Sequence, residues 1–112
     1  MACLFCKIVA GEIPSNKVFE DELAYAFRDI NPQAPTHILI VPRKHIASLA
    51  ELEAADRDLI GYVHLVAGRI AKSEGLSKGF RTVINTGPDG GQTVDHLHVH
   101  LLGGRAMTWP PG

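Results

Sequence analysis

Residues 96–102 of this chain have the sequence HLHVHLL, in which three histidines alternate with apolar residues. Successive side chains of a β-strand point to opposite faces of a sheet, so this alternation predicts a strand. Its apolar side chains, Leu97, Val99 and Leu101, then face a core, and the three imidazoles share the other face. Because imidazole is a nucleophile, a proton carrier and a metal ligand near neutral pH, this face is the first place to look for chemistry.

The strand spacing limits what the three histidines can do together. Neighbouring positions on one face lie about 6.6 Å apart, and the first and third lie about 13 Å apart. A metal ion with nitrogen ligands at about 2.0–2.1 Å reaches two neighbours but not all three. At least one of the histidines therefore has a different task.

Length and charge narrow the class of protein. A chain of 112 residues with a net charge of −1 is predicted to form a single domain, 1–112, with an ordinary core. Such a balance provides no basic field to recruit nucleic acid or an anionic membrane. No apolar run approaches the roughly 20 residues of a membrane span, and no signal peptide pattern opens the chain. We therefore expect a cytoplasmic protein that binds neither nucleic acid nor membrane.

Two cysteines, Cys3 and Cys6, are spaced C-x-x-C at the beginning of the chain. The spacing is open to three interpretations: a redox pair, two small residues packing in a short helix, or two thiolate ligands of zinc. A zinc site needs two more ligands, and His45 and His96 are plausible ones.

The remaining pattern predicts strands grouped before and after one long helix. The apolar spacing over 54–73 is helical, with Leu59, Val63, Val66 and Ile70 on one face. This grouping favours an α+β fold with an antiparallel sheet rather than βαβ units. The other predicted elements are a short helix at 4–10, a hairpin of 18–20 with 24–28, a central strand at 37–41, a strand at 80–85, a glycine-rich loop at 86–92 and the histidine strand.

The glycine-rich loop leads directly into the histidines. Glycines such as Gly91 let backbone N–H groups approach an anion, and Gln92 and Thr93 add side-chain donors. Donors beside a nucleophile are the layout expected for phosphoryl or acyl transfer.

Taken together, these motifs resemble the histidine triad (HIT) family. The triad of residues 96–102 matches the family signature, and the resemblance covers nearly the whole chain. Three further segments resemble the Hint branch of the family: 29–37, 90–93 and the tail 103–112. The resemblance implies a five-stranded antiparallel sheet with one long and one short helix, continued across a homodimer. It also implies that the tail, with Trp109, lies at the dimer interface near the partner's active site.

The resemblance implies a nucleoside phosphoramidase. Hint-like enzymes hydrolyse the P–N bond between a purine nucleoside 5′-phosphate, usually AMP, and an amine such as lysine. By position His98 is the nucleophile that forms a nucleotidyl intermediate, while His100 and His37 contact the phosphate. Gln92 and Thr93 hold phosphate oxygens or the leaving amine. The nucleotide-binding residues implied are Asp29, Ile30, Asn85, Gly91, Phe5, Ile8, Phe27 and Leu39.

The resemblance also implies a bound zinc ion. Many bacterial HIT proteins hold zinc with the set that Cys3, Cys6, His45 and His96 match here, and we expect that zinc to be structural, with no metal required for catalysis. Two residues depart from the Hint pattern. Asp95, just before the triad, either supports a zinc-bound His96 or is simply solvated. Thr108 stands where Hint proteins often have histidine, which argues against an acid–base role of the tail.

Two other functions fit the same residues. One is a metal-dependent hydrolase in which a His-x-His pair holds zinc in an open site. The other is a nucleotide-binding regulatory protein whose hydrolysis is incidental.

Overall fold

A computed structural model describes residues 3–112 of the chain. Its sheet has five antiparallel strands in the order β1-β2-β3-β5-β4. The strands are β1 (Lys17–Glu20), β2 (Ala24–Arg28), β3 (Thr36–Pro42), β4 (Phe80–Val83) and β5 (Val99–Gly103). The helices are the short α1 (Leu4–Val9) and the long α2 (Arg57–Ser73), with 3₁₀ turns at Leu49–Glu51 and Ala54–Asp56. The predicted α+β fold, with one long and one short helix, is confirmed.

Each face of the sheet is covered by a different helix. Alternate residues of β3, Ile38 and Ile40, pack with Val99 and Leu101 of β5 against the apolar face of α2. The intervening residues of β3 face α1, where Leu39 joins a second apolar cluster. The long helix therefore covers the aliphatic face, and the short helix lies on the face that carries the histidines.

The histidine strand is shorter than predicted. Leu97, Val99 and Leu101 are at most 1% exposed, so the predicted alternation is confirmed, but strand pairing begins only at Val99. The last paired residues of β3 and β5 are Ile40 and Val99. Pairing stops where β3 reaches Pro42, which has no N–H to donate to a ladder. Leu97 instead donates its N–H to the carbonyl of Ile46, at 2.7 Å.

Two other boundaries differ from the sequence prediction. The helix predicted over 54–73 begins as a 3₁₀ turn and becomes α-helical at Arg57, while the strand predicted over 80–85 ends at Val83. At the helix start, Asp56 and Glu53 form a reciprocal capping box. None of the helices in residues 3–112 is long and apolar enough to cross a membrane.

Candidate functional site

The ring of His98 is oriented by a backbone carbonyl. Its Nδ1–H donates to the carbonyl oxygen of His96, at 2.7 Å. A neutral imidazole carries one N–H, so Nε2 of His98 keeps its lone pair. Burial lowers the pKa of His98, which keeps the ring neutral. The ring of Phe5 packs edge-on against it, with 5.0 Å between centroids. His98 is thus a neutral, fixed ring with a free lone pair on Nε2, as an attacking nitrogen needs.

A second backbone group sets the protonation of His37. The N–H of Gln33 donates to Nδ1 of His37 at 3.0 Å, so the proton of the neutral ring must sit on Nε2. That Nε2–H faces Nδ1 of His100 at 2.9 Å. His100 accepts at Nδ1 and therefore carries its own proton on Nε2. Gln33 therefore donates to His37, and His37 donates to His100.

Nε2–H of His100, the last donor in this row of hydrogen bonds, has no hydrogen-bond partner. It and Thr86 Oγ1 are the only buried side-chain polar atoms of residues 3–112 that lack a hydrogen bond. An unpaired buried donor costs free energy, which a ligand acceptor can recover. Burial, followed by the neighbouring His98 and His37, lowers the pKa of His100 to about 4. His100 therefore presents a neutral N–H donor beside His98, whose ring centroid lies 4.9 Å away.

The carboxylate of Asp29 adjoins the same histidines. Its Oδ2 lies 3.5 Å from Nε2 of His37, and its Oδ1 accepts the N–H of Asn31 at 2.8 Å. Asp29, His37 and His100 are close enough to resemble a metal triad. A metal on Nε2 of His37 would require the ring proton on Nδ1, where the N–H of Gln33 already points. The hydrogen bond from Gln33 to His37 therefore argues against a metal ion bound by these three residues.

A second cluster brings together Cys3, Cys6, His45 and His96, whose ligand atoms lie within 4.8 Å of one another. Tetrahedral zinc places sulfur and nitrogen ligands about 3.5 Å apart and two nitrogens about 3.3 Å apart. The Sγ atoms of Cys3 and Cys6 both lie 3.5 Å from His96 Nδ1, and Cys6 Sγ lies 3.3 Å from His45 Nδ1. The two Nδ1 atoms are 3.2 Å apart. These separations fit the edges of a zinc tetrahedron.

The protonation of this second cluster also suits a cation. The Nε2–H of His96 donates to the carbonyl of Pro42 at 2.8 Å, which leaves Nδ1 unprotonated and aimed at the cluster. Burial, with the neighbouring Cys3, raises the pKa of the Cys6 thiol. A metal ion would supply the positive charge that two thiolates require.

The glycine-rich loop is braced by Gln92. Both amide hydrogens of Gln92 are used, one on the carbonyl of Ala47 at 2.7 Å and one on that of Val94 at 3.0 Å. Its Oε1 accepts the N–H of Gly87 at 3.1 Å. In this structure all three hydrogen-bonding groups of the Gln92 amide therefore brace the loop, and its contact with a phosphate or a leaving amine stays a prediction. Thr93 is exposed and lines an open cavity with Cys3 and His45.

The glycines of this loop have different constraints. A Cβ at Gly90 would overlap the carbonyl oxygen of Thr86, so only glycine fits there. Gly91 has a φ of +79°, and its N–H donates to the carbonyl of Pro88 at 3.1 Å. Asn85 is half-buried immediately before the loop.

Four of the apolar residues predicted for the base pocket pack together. They are at most 7% exposed and lie in the cluster under α1: Phe5, Ile8, Phe27 and Leu39. Ile30 does not join them, since it is fully exposed in the turn that follows Asp29. The contact of Ile30 with a nucleotide base stays a prediction, made by a side chain that lies outside the buried cluster.

Three groups that matter here escaped the sequence prediction. They are the N–H of Gln33, the carbonyl of Pro42 and the guanidinium of Arg105, which donates from Nε and Nη2 to the carbonyl of Gln33 at 3.2 and 3.0 Å. Two of the three are backbone atoms, which no residue pattern marks. Arg105 lies within the tail segment, but nothing in the sequence pairs it with Gln33.

The chain is similar to proteins of one family along most of its length. A sequence model described as the HIT domain matches residues 10–107. A 14 kDa zinc-binding protein of Zea mays is 57% identical over 111 residues, which is 97% of this chain and 87% of that protein. The adenylylsulfatase HINT1 of Arabidopsis thaliana is 52% identical over 111 residues, covering 97% of this chain and 76% of that protein.

Solved structures of HIT proteins superpose on this chain. A HIT family hydrolase from Legionella pneumophila Philadelphia 1 superposes with a TM-score of 0.98 at 55% identity, covering 99% of this chain and 100% of the other. A histidine triad nucleotide-binding protein from Candida albicans superposes with a TM-score of 0.83 at 34% identity, covering 97% and 83%.

Proposed function

Because this chain belongs to the HIT family and is one of its hydrolases, we propose that it is a purine nucleoside phosphoramidase. It would hydrolyse the P–N bond of AMP–amine conjugates such as AMP–lysine. The observation that carries the proposal is the pair of complementary nitrogens on neighbouring rings. Nε2 of His98 keeps a lone pair, because Nδ1 is committed to the carbonyl of His96, and Nε2 of His100 is an unpaired donor.

In the first step, Nε2 of His98 attacks phosphorus and the P–N bond breaks. The amine nitrogen takes a proton from water and leaves, and a bond from phosphorus to Nε2 replaces the P–N bond to the amine, which gives a nucleotidyl-His98 intermediate. As negative charge develops on the phosphate oxygens, the Nε2–H of His100 donates to one of them. His37 holds His100 in the donating tautomer.

In the second step, water attacks phosphorus and releases AMP and His98. The positive charge of the intermediate's ring is stabilised by the carbonyl of His96, which still accepts from Nδ1. Thr93 is the side chain that we assign to the leaving group. Gln92 supports the loop, which includes Gly91, with both of its amide hydrogens.

The nucleoside is assigned to the region beyond Asp29. Its carboxylate is half-buried, and it is suited to accept hydrogen bonds from ribose hydroxyls. Asn85 would contact the phosphate and ribose. The base would lie along the apolar cluster of Phe5, Ile8, Phe27 and Leu39, with the exposed Ile30 available to cover it.

Zinc would be held by Cys3, Cys6, His45 and His96, and its task would be structural. Four protein ligands fill a tetrahedral ion and leave no open position for substrate. The cluster joins α1 to the segments that follow β3 and precede β5. We expect hydrolysis to require no metal at the phosphate.

A homodimer in the cytoplasm is part of the proposal. Trp109 is 81% exposed and its tail is anchored by Arg81, which donates to the carbonyl of Thr108 at 3.0 Å. An exposed tryptophan in a proline-rich tail is suited to docking on a second copy. The tail 103–112 would then lie at the dimer interface of a single HIT domain.

The similarity to a protein named adenylylsulfatase favours a second candidate activity. Adenylyl sulfate carries the same nucleotide with sulfate as the leaving group. Sulfate leaves without needing a proton, whereas an amine must gain one. The same nucleophile, His98, would serve both reactions, and the leaving group would distinguish them.

The test measures AMP release from AMP–lysine and from adenylyl sulfate by the zinc-loaded chain. Faster turnover of AMP–lysine is expected, with a nucleotidyl-protein adduct on His98 seen by mass spectrometry after acid-free quenching. His98→Ala should lose both activities and the adduct, while His64→Ala, which removes an exposed imidazole of α2, should keep them. Undiminished turnover by His98→Ala would refute the mechanism, and preference for adenylyl sulfate would favour the second activity.

A further inference from the structure

The tail and the histidines are connected through one residue, Gln33. Arg105 donates two hydrogen bonds to the carbonyl of Gln33, from Nε at 3.2 Å and from Nη2 at 3.0 Å. The N–H of Gln33 donates in turn to Nδ1 of His37 at 3.0 Å. Arg105 is therefore linked to the ring of His37 through Gln33, without contacting that ring itself.

We propose that Arg105 is a positioning residue: by clamping Gln33 it fixes the tautomer of His37, and through His37 the tautomer of His100. This inference rests on the proposed function, in which His100 donates to the phosphate. Arg105 acts on the direction of that donor and not on the substrate.

The tautomers of the two rings are coupled by their separation. Nε2 of His37 and Nδ1 of His100 are 2.9 Å apart, so one of the two nitrogens must carry a proton and the other must not. If Gln33 moves away, Nδ1 of His37 no longer has to accept a hydrogen bond, and His37 can place its proton there, opposed only by the carboxylate of Asp29, whose Oδ2 lies 3.5 Å from Nε2. His100 must then hold its proton on Nδ1, and its Nε2 presents a lone pair to the phosphate. A lone pair repels the anion that the N–H attracts.

The loop around Gln33 is held in few other places. Its side chain donates from Nε2 to the carbonyl of Asn31 at 3.0 Å, a contact within the same exposed turn. The tail approaches this turn closely, because a Cβ at Gly104 would lie 2.9 Å from Cβ of Pro35. Arg105 is thus the side chain that ties the turn to the end of β5.

Arg81 of β4 provides a matched control for Arg105. Arg81 also donates to a tail carbonyl, that of Thr108 at 3.0 Å, and its guanidinium lies 6.0 Å from the Trp109 ring centroid. It anchors the tail as Arg105 does, but it makes no contact with Gln33. Comparing Arg105→Met with Arg81→Met separates the clamp on Gln33 from general anchoring of the tail.

The experiment reads the tautomers directly. Long-range ¹H–¹⁵N spectra of the zinc-loaded chain, labelled on histidine nitrogens, distinguish Nδ1–H from Nε2–H for each ring. In the unmodified chain we expect His37 and His100 as Nε2–H and His98 as Nδ1–H. Arg105→Met should convert a measurable fraction of His37 and His100 to Nδ1–H and leave His98 unchanged. Arg81→Met should leave all three rings unchanged, and Arg105→Lys should restore the Nε2–H forms in part.

Turnover gives a second measurement. Loss of one donor to a developing oxyanion typically lowers kcat by about 10²–10³. Because Arg105→Met redistributes tautomers and does not remove the donor, we expect kcat for AMP–lysine to fall about tenfold with KM nearly unchanged.

Unchanged tautomers of His37 and His100 in Arg105→Met would overturn the proposal, whatever the turnover. If Arg105→Met does not fold, the same spectra of Arg105→Lys decide, because a single ammonium nitrogen cannot take the places of both Nε and Nη2. A partial shift of His37 and His100 to Nδ1–H then supports the proposal, and no shift overturns it. If the unmodified chain shows the expected tautomers but hydrolyses no AMP–lysine, the proposed function fails and the spectra still test the clamp.

Discussion

The stability of the fold should depend on pH through His100, and His100→Gln isolates the effect. Burial lowers the pKa of His100 from 6.5 to about 4. Between these values the unfolded chain binds a proton at this position and the folded chain does not. A lowered pKa therefore contributes stability that is fully present above pH 6.5 and is lost as the pH falls towards 4.

The size of the effect follows from the two pKa values. Going from pH 7.5 to pH 5, the protonation difference integrates to about 2 kcal/mol of unfolding free energy. Because the ring of His100 is only partly buried, solvent screening reduces this to about 1 kcal/mol. On acidification the unmodified chain should therefore lose about 1 kcal/mol more than His100→Gln, which cannot titrate at this position.

Urea denaturation followed by circular dichroism at pH 7.5 and pH 5.0 measures the difference. Zinc content must be determined at both pH values, because protonation of the cysteines also weakens metal binding. Equal losses of stability in the two proteins, at equal zinc content, would refute the conclusion that His100 is held neutral by its surroundings.

Three further changes test other parts of the structure. Removing zinc with a chelator, or Cys6→Ser, should lower Tm by about 10 °C in a thermal melt, because metal binding at saturating concentration contributes about 2–3 kcal/mol; an unchanged Tm would contradict a structural zinc site. Phe5→Ala should cost about 3–5 kcal/mol in urea denaturation, since its ring is 5% exposed, whereas Phe5→Leu should retain most of that stability but lower kcat by freeing the His98 ring. Leu101→Ala, at a fully buried site under α2, should lower the free energy of unfolding by about 2–5 kcal/mol. KM for AMP–lysine should stay unchanged in the folded fraction, and a large change in KM would contradict the separation of the aliphatic face of the sheet from its histidine face.

The sequence predicted which face each residue of the histidine segment occupies, because burial follows the period of two. It did not predict where pairing stops. We attribute that boundary to Pro42, which meets the segment only in the folded protein, where its carbonyl accepts from Nε2 of His96. Period and composition describe a strand's own residues, whereas its ends depend on the donors and acceptors of its neighbour.

The site shows the same limit at the level of atoms. The grouping of Cys3, Cys6, His45 and His96 was implied by the family resemblance, since residue types alone left the cysteines open to other uses, and the structure brings their ligand atoms together. The sequence did not show that the amide of Gln92 would be satisfied by three backbone groups. Which donors remain free for a ligand is decided by long-range backbone contacts, and a sequence pattern does not contain them.

The three histidines of one segment can have three different tasks because their rings are held by different hydrogen bonds: His96 donates from Nε2, His98 donates from Nδ1, and His100 accepts at Nδ1. His96 gives Nε2–H to Pro42 and keeps Nδ1 for a metal, while His98 gives Nδ1–H to the carbonyl of His96 and keeps Nε2 for attack. His100 accepts at Nδ1 from His37 and is left with Nε2–H as a donor. The carbonyl that orients His98 belongs to His96, whose ring lies in the cysteine cluster. Zinc bound at that cluster would therefore hold the nucleophile's acceptor in place without approaching the phosphate.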